Sequence, residues 1–188
     1  SDALRILYYG TYTPNHNVPL MIEAAAQLPV NGYSFEFIGD GPEKEISIRL
    51  ATSYFLPNVQ FLGWLPQNEL LTHLSASDII LVSFGEAMQA QISVHNKVYE
   101  GLALQKVVLT SESPALAEFF HHGVHLYTCT RNDTSNLIQA LEYLRNNPAQ
   151  RKKIAMCGHD IFMQNYSKEK IGAQFKEFLV NFLSRKKQ

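Results

Sequence analysis

The sequence predicts an α/β fold, a doubly wound, mainly parallel six-stranded sheet with helices on both faces. Three observations lead there. Short apolar runs alternate along the chain with amphipathic stretches of helical period, the pattern of βαβ units. The run Asp78 to Ser83 (Asp-Ile-Ile-Leu-Val-Ser) is apolar without alternation, as in a strand covered on both faces. Breaks such as Gly39-Asp40-Gly41-Pro42 fall where a strand should end and a helix begin.

In order, Arg5 to Tyr9 reads as the first strand, and Val18 to Leu28 as a helix with Leu20, Ala24 and Leu28 on one face. Ser34 to Ile38 is the second strand. Pro42 suits the first turn of a helix running to about Phe55. Val59 to Leu62 is a short strand, Gln67 to Ser75 a helix, and Asp78 to Ser83 the fully buried strand. Phe84 to Ser93 has no clear period and reads as a loop with a helical turn near Glu86. Asn96 to Leu104 is a helix, Val107 to Thr110 a strand, Pro114 to Phe120 a helix and Val124 to Tyr127 the last strand. Asp133 or Thr134 can cap a helix ending near Asn146, with Pro148 beyond it as a stop. Two helices follow, about Ala149 to Tyr166 and Lys168 to Leu183, and Arg185 to Gln188 reads as a frayed tail. The last helix sets Ile171, Phe175, Phe178, Leu179 and Phe182 on one stripe, whose simplest use is packing on its own domain.

The 188 residues suit one domain with a real core. A net charge of −1 argues against bulk attraction to nucleic acid. Two cysteines, Cys129 and Cys157, make neither a disulfide framework nor a metal cluster, and read as reduced residues of a cytoplasmic protein. No apolar run reaches the roughly 18 residues that a membrane span needs, and no signal peptide is visible. The chain opens Ser-Asp with strand-like sequence almost at once, as expected of a domain cut from a larger protein.

Sheets of this kind bind ligands at the carboxyl ends of their strands, so the loops after strands one, two, four and five matter most. The most telling stretch runs from Asn96 to Glu118. Lys97 and Glu100 are three apart on its first helix and point the same way. A helix N-terminus with a lysine suits a phosphate, and a carboxylate, with two oxygens at the spacing of a vicinal diol, suits a sugar. Together they suggest a pocket for the ribose and diphosphate of a nucleotide. Read without further context, Glu100 is more simply a helix-dipole partner, and Lys97 a solvated surface lysine.

Five segments in order then resemble one family. They are Tyr-Tyr-Gly-Thr-Tyr-Thr-Pro (8 to 14), Phe-Ile-Gly-Asp-Gly-Pro (37 to 42), Val-Gln-Phe-Leu-Gly-Trp-Leu-Pro (59 to 66), Ser-Ala-Ser-Asp-Ile-Ile-Leu (75 to 81) and the block from Asn96 to Glu118. Over nearly its whole length the chain resembles the C-terminal, donor-binding domain of retaining GT-B glycosyltransferases of the glycosyl transferases group 1 family. The resemblance implies that residues 1 to 188 form the Rossmann-like, nucleotide-sugar-binding half of such an enzyme, with C-terminal helices about 149 to 183. The acceptor-binding N-terminal domain would lie outside this chain, and the last helix would cross back toward it.

The same resemblance implies roles. Glu100 would accept bonds from both ribose hydroxyls. The family's second glutamate, eight positions earlier, is replaced by Ile92, with Glu86 and Gln91 out of register. Backbone of Ile92-Ser93-Val94-His95 would meet the diphosphate, with Asn96 or Ser93 capping the helix that follows. The usual arginine and lysine of the loop after strand one are replaced by Thr11 and His16, so Lys97, helped by His16, is the candidate to meet charge on the leaving diphosphate. Gly10, Thr11, Gly39 and Gly41 would border the donor nucleotide, and Gly63, Trp64 and Leu65 its base. Glu118 reads as helix-surface chemistry, and His121, His122 and His125 form no metal spacing. No Asp-X-Asp pair occurs, and the family generally works without a metal, so no metal or other cofactor is expected.

The expectation is thus sugar transfer from a nucleoside diphosphate to an acceptor with retention, in surface polysaccharide synthesis, at the inner face of the cytoplasmic membrane through peripheral association. The rivals are a GT-B-like epimerase or phosphorylase, a degenerate nucleotide-binding module, and a flavodoxin-like regulator. The last lacks the clustered acidic residues that should follow its first strand.

Overall fold

A computed structural model describes residues 3–185. Its sheet has six parallel strands in the order β3-β2-β1-β4-β5-β6. These are β1 (Leu4–Thr11), β2 (Tyr33–Asp40), β3 (Val59–Leu62), β4 (Ile79–Leu81), β5 (Val107–Ser111) and β6 (Tyr127–Cys129). The chain builds outward from β1 to β3, then returns to the other side of β1 for β4 to β6. The direction of winding therefore reverses between β1 and β4, and in sheets of this kind ligands bind outside the carboxyl ends at such a reversal.

Each strand feeds both faces, because successive side chains alternate. Leu4, Ile6 and Tyr8 of β1 join one core with α1 (Val18–Gln27), α2 (Lys44–Ser53) and α7 (Thr134–Asn146). Leu7 and Tyr9 join a second core with Leu70 and Leu74 of α3 (Gln67–Ala76). Val82 and Val108 meet Val98 and Leu102 of α5 (Asn96–Ala103), and α8 (Pro148–Asn165) packs against α5 and β5. Each fully buried side chain of this kind contributes roughly 1.5–3 kcal/mol, which holds β1 and β4 as a rigid frame for the loops above them.

The remaining helices are α4 (Met88–Ile92), α6 (Pro114–Ala117) and α9 (Lys168–Arg185), and a 3₁₀ turn spans Val30–Gly32. The expected six parallel strands and the helices between them are present, with corrections at particular places. Helix α2 begins at Lys44, so Pro42 lies ahead of its Glu43 cap rather than in its first turn. The amides of Glu43 and Lys44 are already drawn to the carbonyls of Tyr12 and Gly41. Strand β4 is assigned only over Ile79–Leu81, although the Val82 amide still donates to Leu109 and the Ser83 carbonyl still accepts from Ser111, while the Ser83 hydroxyl donates to the Asn15 carbonyl at 2.6 Å. The expected loop from Phe84 to Ser93 contains α4, five residues with only Ala90 buried. One turn with a single inward residue leaves no period to read.

Helix α6 stops at Ala117, short of Phe120. Strand β6 starts at Tyr127, not Val124, because residues 121–125 are spent in a turn about Gly123. Asp133 is the cap of α7, accepting from the Asn136 amide, and Pro148 opens α8 rather than merely stopping α7. Helix α9 does not pack on its own domain. Its described side chains are exposed throughout, including Ile171, Phe175, Phe178, Leu179 and Phe182. The expected frayed tail falls, beyond the backbone of Arg185, outside the described residues.

Candidate functional site

The loops after β1 and β4 are bonded to each other where the strand order reverses. The Phe84 amide donates to the His16 carbonyl at 3.2 Å, and that of Gly85 to the Asn15 carbonyl at 3.0 Å. A Cβ on Gly85 would lie 1.9 Å from the Pro14 carbonyl oxygen, so only glycine allows this approach. Arg131 fixes the β4 loop from the turn after β6. Its guanidinium donates to the carbonyls of Gly85 (2.6 Å), Ala90 (3.3 Å) and Glu112 (2.7 Å).

Helix α5 delivers two charged side chains to the end of β1. The Lys97 ammonium stands 5.1 Å from the ring centre of Tyr8, 5.8 Å from that of Tyr9, and 3.2 Å from His16 Nε2. Its stem passes over Gly10, where a Cβ would sit 2.9 Å from Lys97 Cε. Gly10 is thus the gap that lets lysine cross the strand end. The Tyr9 hydroxyl donates to Oε2 of Glu100. Two residues three apart on one helix therefore reach the same strand end.

The proton positions around His16 follow from geometry. Its Nδ1 lies 2.7 Å from the Thr11 carbonyl, which can only accept, so Nδ1 carries the hydrogen. Tyr8 donates to the same carbonyl at 2.8 Å. Nε2 is then a bare acceptor aimed at Lys97. Burial, followed by the charge of Lys97, pushes the imidazole down to about 4, so His16 is neutral at pH 7. Burial lowers Lys97 to about 8, against an opposing pull from Glu100. His95, the residue before α5, has its ring 5.5 Å from that of His16, and burial with the charges of Lys97 and Arg131 lowers it too. Among the described residues its Nε2 is buried without a hydrogen-bond partner.

The other expected residues sit around this centre less intimately. Gly39 and Gly41, both at positive φ, fit against β1 and its loop. A Cβ would stand 2.1 Å from the Gly10 carbonyl oxygen at Gly39 and 2.6 Å from the Tyr12 nitrogen at Gly41. Thr11 is exposed and contributes its carbonyl. Gly63 is open, Trp64 is exposed beyond β3, and Leu65 packs into the core that contains Tyr9. Neither expected cap holds. Ser93 closes α4, donating to the Gln89 carbonyl. Asn96 is the first residue of α5, and His95 is the cap, with no side-chain bond. Val94 is half-buried against the core under α5.

The sequence reading missed Tyr8, Tyr9 and Arg131. The Tyr8-Tyr9 pair at the end of an apolar strand, next to Gly10, was the available signal for the first two. Nothing local marks Arg131, whose partners lie 19 to 46 positions away.

A family model described as Glycosyl transferases group 1 matches residues 3–147. The chain is 24% identical over 182 residues to the lipopolysaccharide core biosynthesis glycosyltransferase LpsE of Rhizobium meliloti, covering 96% of this chain and 51% of the relative. It is 27% identical over 144 residues to the amylovoran biosynthesis glycosyltransferase AmsK of Erwinia amylovora, covering 74% and 35%. The chain thus spans about half or less of the length of these relatives. Among solved structures, Anabaena Alr3699/HepE in complex with UDP and glucose superposes with a TM-score of 0.81 at 19% identity, over 96% of this chain and 49% of that one. The C-terminal domain of the group 1 glycosyl transferase LpcC from Francisella tularensis gives 0.74 at 19% identity, covering 88% and 87%. The structures attest the fold, and the family model, spanning all six strands and α5, attests the lineage: this chain belongs to the glycosyl transferases group 1 family.

Proposed function

We propose that this chain is the donor-binding half of a retaining glycosyltransferase that takes a nucleoside-diphosphate sugar. One observation carries the reading: α5 brings the Lys97 ammonium and the Glu100 carboxylate to the end of β1, at the point where the strand order reverses. Glu100 takes the ribose hydroxyls. Lys97 meets the negative charge that grows on the leaving diphosphate. His16 adds no charge of its own, being neutral. It accepts from Lys97 and so keeps the ammonium over Gly10. The amides at the start of α5, with the loop 92–95, add the dipole-positive end of a helix. Gly10, Thr11, Gly39 and Gly41 border the phosphates, and Gly63, Trp64 and Leu65 the base. Ile92 offers the sugar no hydrogen bond, so the contact that the family assigns there passes to other groups. Charge is met by Lys97 without a metal ion.

The relatives named for lipopolysaccharide core and amylovoran biosynthesis support surface polysaccharide synthesis as the setting. We place it on the cytoplasmic side of a membrane, with peripheral association. The acceptor would be held by a domain outside this chain, as the doubled length of the relatives supports. The 188-residue piece is expected to transfer nothing by itself.

The test is ligand-dependent stability in the full-length protein. UDP, ADP and GDP are titrated against melting temperature, in wild type and Lys97→Met. A true site raises the midpoint with ligand concentration, and the lysine variant weakens the effect. No shift with any of them sinks the reading and leaves a module without a nucleotide site. Turnover of a nucleotide sugar in the absence of any acceptor would favour an epimerase instead.

A further inference from the structure

The Tyr9–Glu100 contact reaches past the family comparison. Tyr9 is a core residue, 8% exposed, packed with Leu7, Ile38, Leu74 and Ile80. Its hydroxyl donates to Glu100 Oε2. Glu100 itself is exposed on α5 and without this bond would sweep its rotamers through solvent. A phenol with two side-chain torsions, its ring fixed in a core, is a rigid anchor for a carboxylate on a neighbouring element. Burial and the adjacent carboxylate both raise the Tyr9 hydroxyl above its ordinary range, so it stays a proton donor throughout the working pH range. Lys97 lies over the same ring, so one tyrosine braces both charged groups of α5.

The geometry points to Tyr9 as a positioning residue that holds Glu100 by Oε2 and turns Oε1 outward to the sugar hydroxyls, making the site selective for ribonucleotides over 2′-deoxyribonucleotides. The inference rests on Glu100 contacting the ribose, as proposed above. Tyr9 touches no ligand and acts only through the carboxylate. A charge-assisted bond that fixes one oxygen also keeps the other from rotating away from the diol.

The experiment measures dissociation constants by calorimetry on the full-length protein. The probes are UDP, ADP and GDP with their 2′-deoxy counterparts, and the tightest-binding pair is followed. Tyr9→Phe removes the hydroxyl and keeps the ring in its core. Wild type should favour the ribonucleotide by about tenfold, the worth of one hydrogen bond to a charged group. Tyr9→Phe should weaken the ribonucleotide by about fivefold or more, leave the deoxy form within about twofold, and so narrow the ratio. In a Glu100→Gln background the same substitution should change neither. Equal weakening of both nucleotides, or an unchanged ratio, overturns the role of Tyr9 while leaving the nucleotide site standing. Failure of wild type to bind any of the nucleotides, or to distinguish the two sugars, overturns the role of Glu100 and that of Tyr9 with it.

Discussion

In the proposed reading the chemistry turns on Lys97, whose environment makes it titrate within reach of neutrality. Burial puts it at about 8. An arriving diphosphate would raise it again, so binding above pH 8 must take up a proton. Nucleotide affinity is therefore expected to fall as pH rises through about 8, by up to about tenfold per unit, and Lys97→Met should bind weakly with a flat profile. Affinity measured across pH 6.5 to 9.5 checks this, and a wild-type profile as flat as that of the variant would refute it. His16 has the reverse consequence for stability. Its folded value of about 4 lies below the unfolded value of about 6.5, so the unfolded chain binds the proton first. Stability is full above about 6.5 and drains away as pH falls toward 4, by an amount on the order of 2 kcal/mol. Half-buried His95 shifts the same way. Denaturant unfolding at pH 7 and pH 4.5 should show the loss shrink in His16→Gln.

At the scale of elements, close packing of α5 and α8 is what aims the site. Gly158 of α8 sits where a Cβ would be 2.3 Å from the His125 carbonyl oxygen and 2.6 Å from Leu102 Cδ2. Alanine would gain about 1 kcal/mol of helix propensity. A backbone oxygen cannot step aside as a side chain can, so overpacking at roughly 1–3 kcal/mol should win. Gly158→Ala is expected to lower the urea midpoint at unchanged slope. Helix α9 is the opposite case. Its residues from Lys168 to Ser184 are all exposed, with Phe175 and Phe178 each at 62%. Deleting residues 168–188 should leave the melting temperature of this chain within a few degrees, since little is buried there. A large drop in the midpoint would mean that α9 packs where the structure leaves it bare.

For the whole molecule, the alternation of apolar runs and amphipathic stretches was enough to predict the parallel sheet, because burial on two faces forces a strand such as Asp-Ile-Ile-Leu-Val-Ser to be continuously apolar. Val59–Leu62 could be bounded by reading alone, for turn residues close it on both sides. Short or one-sided elements escaped. Helix α4 buries a single residue, and β6 owes its start to pairing Tyr127 with Leu109, a partner that local sequence does not name. The site divides the same way. Lys97 and Glu100 could be picked out because helical spacing is a local property that puts them on one face. Their neighbours could not, since Tyr9 and Glu100 are 91 positions apart, and His16 and Lys97 are 81 apart. Sequence alone thus determined the fold class, the lineage and that Lys97 and Glu100 share one face of α5, all set by near neighbours and by side-chain polarity. Tertiary structure decided that His16 is a neutral acceptor, that Arg131 pins the β4 loop and that Tyr9 grips Glu100. Protonation and hydrogen bonding depend on burial and on groups brought close only when the strands are laid side by side.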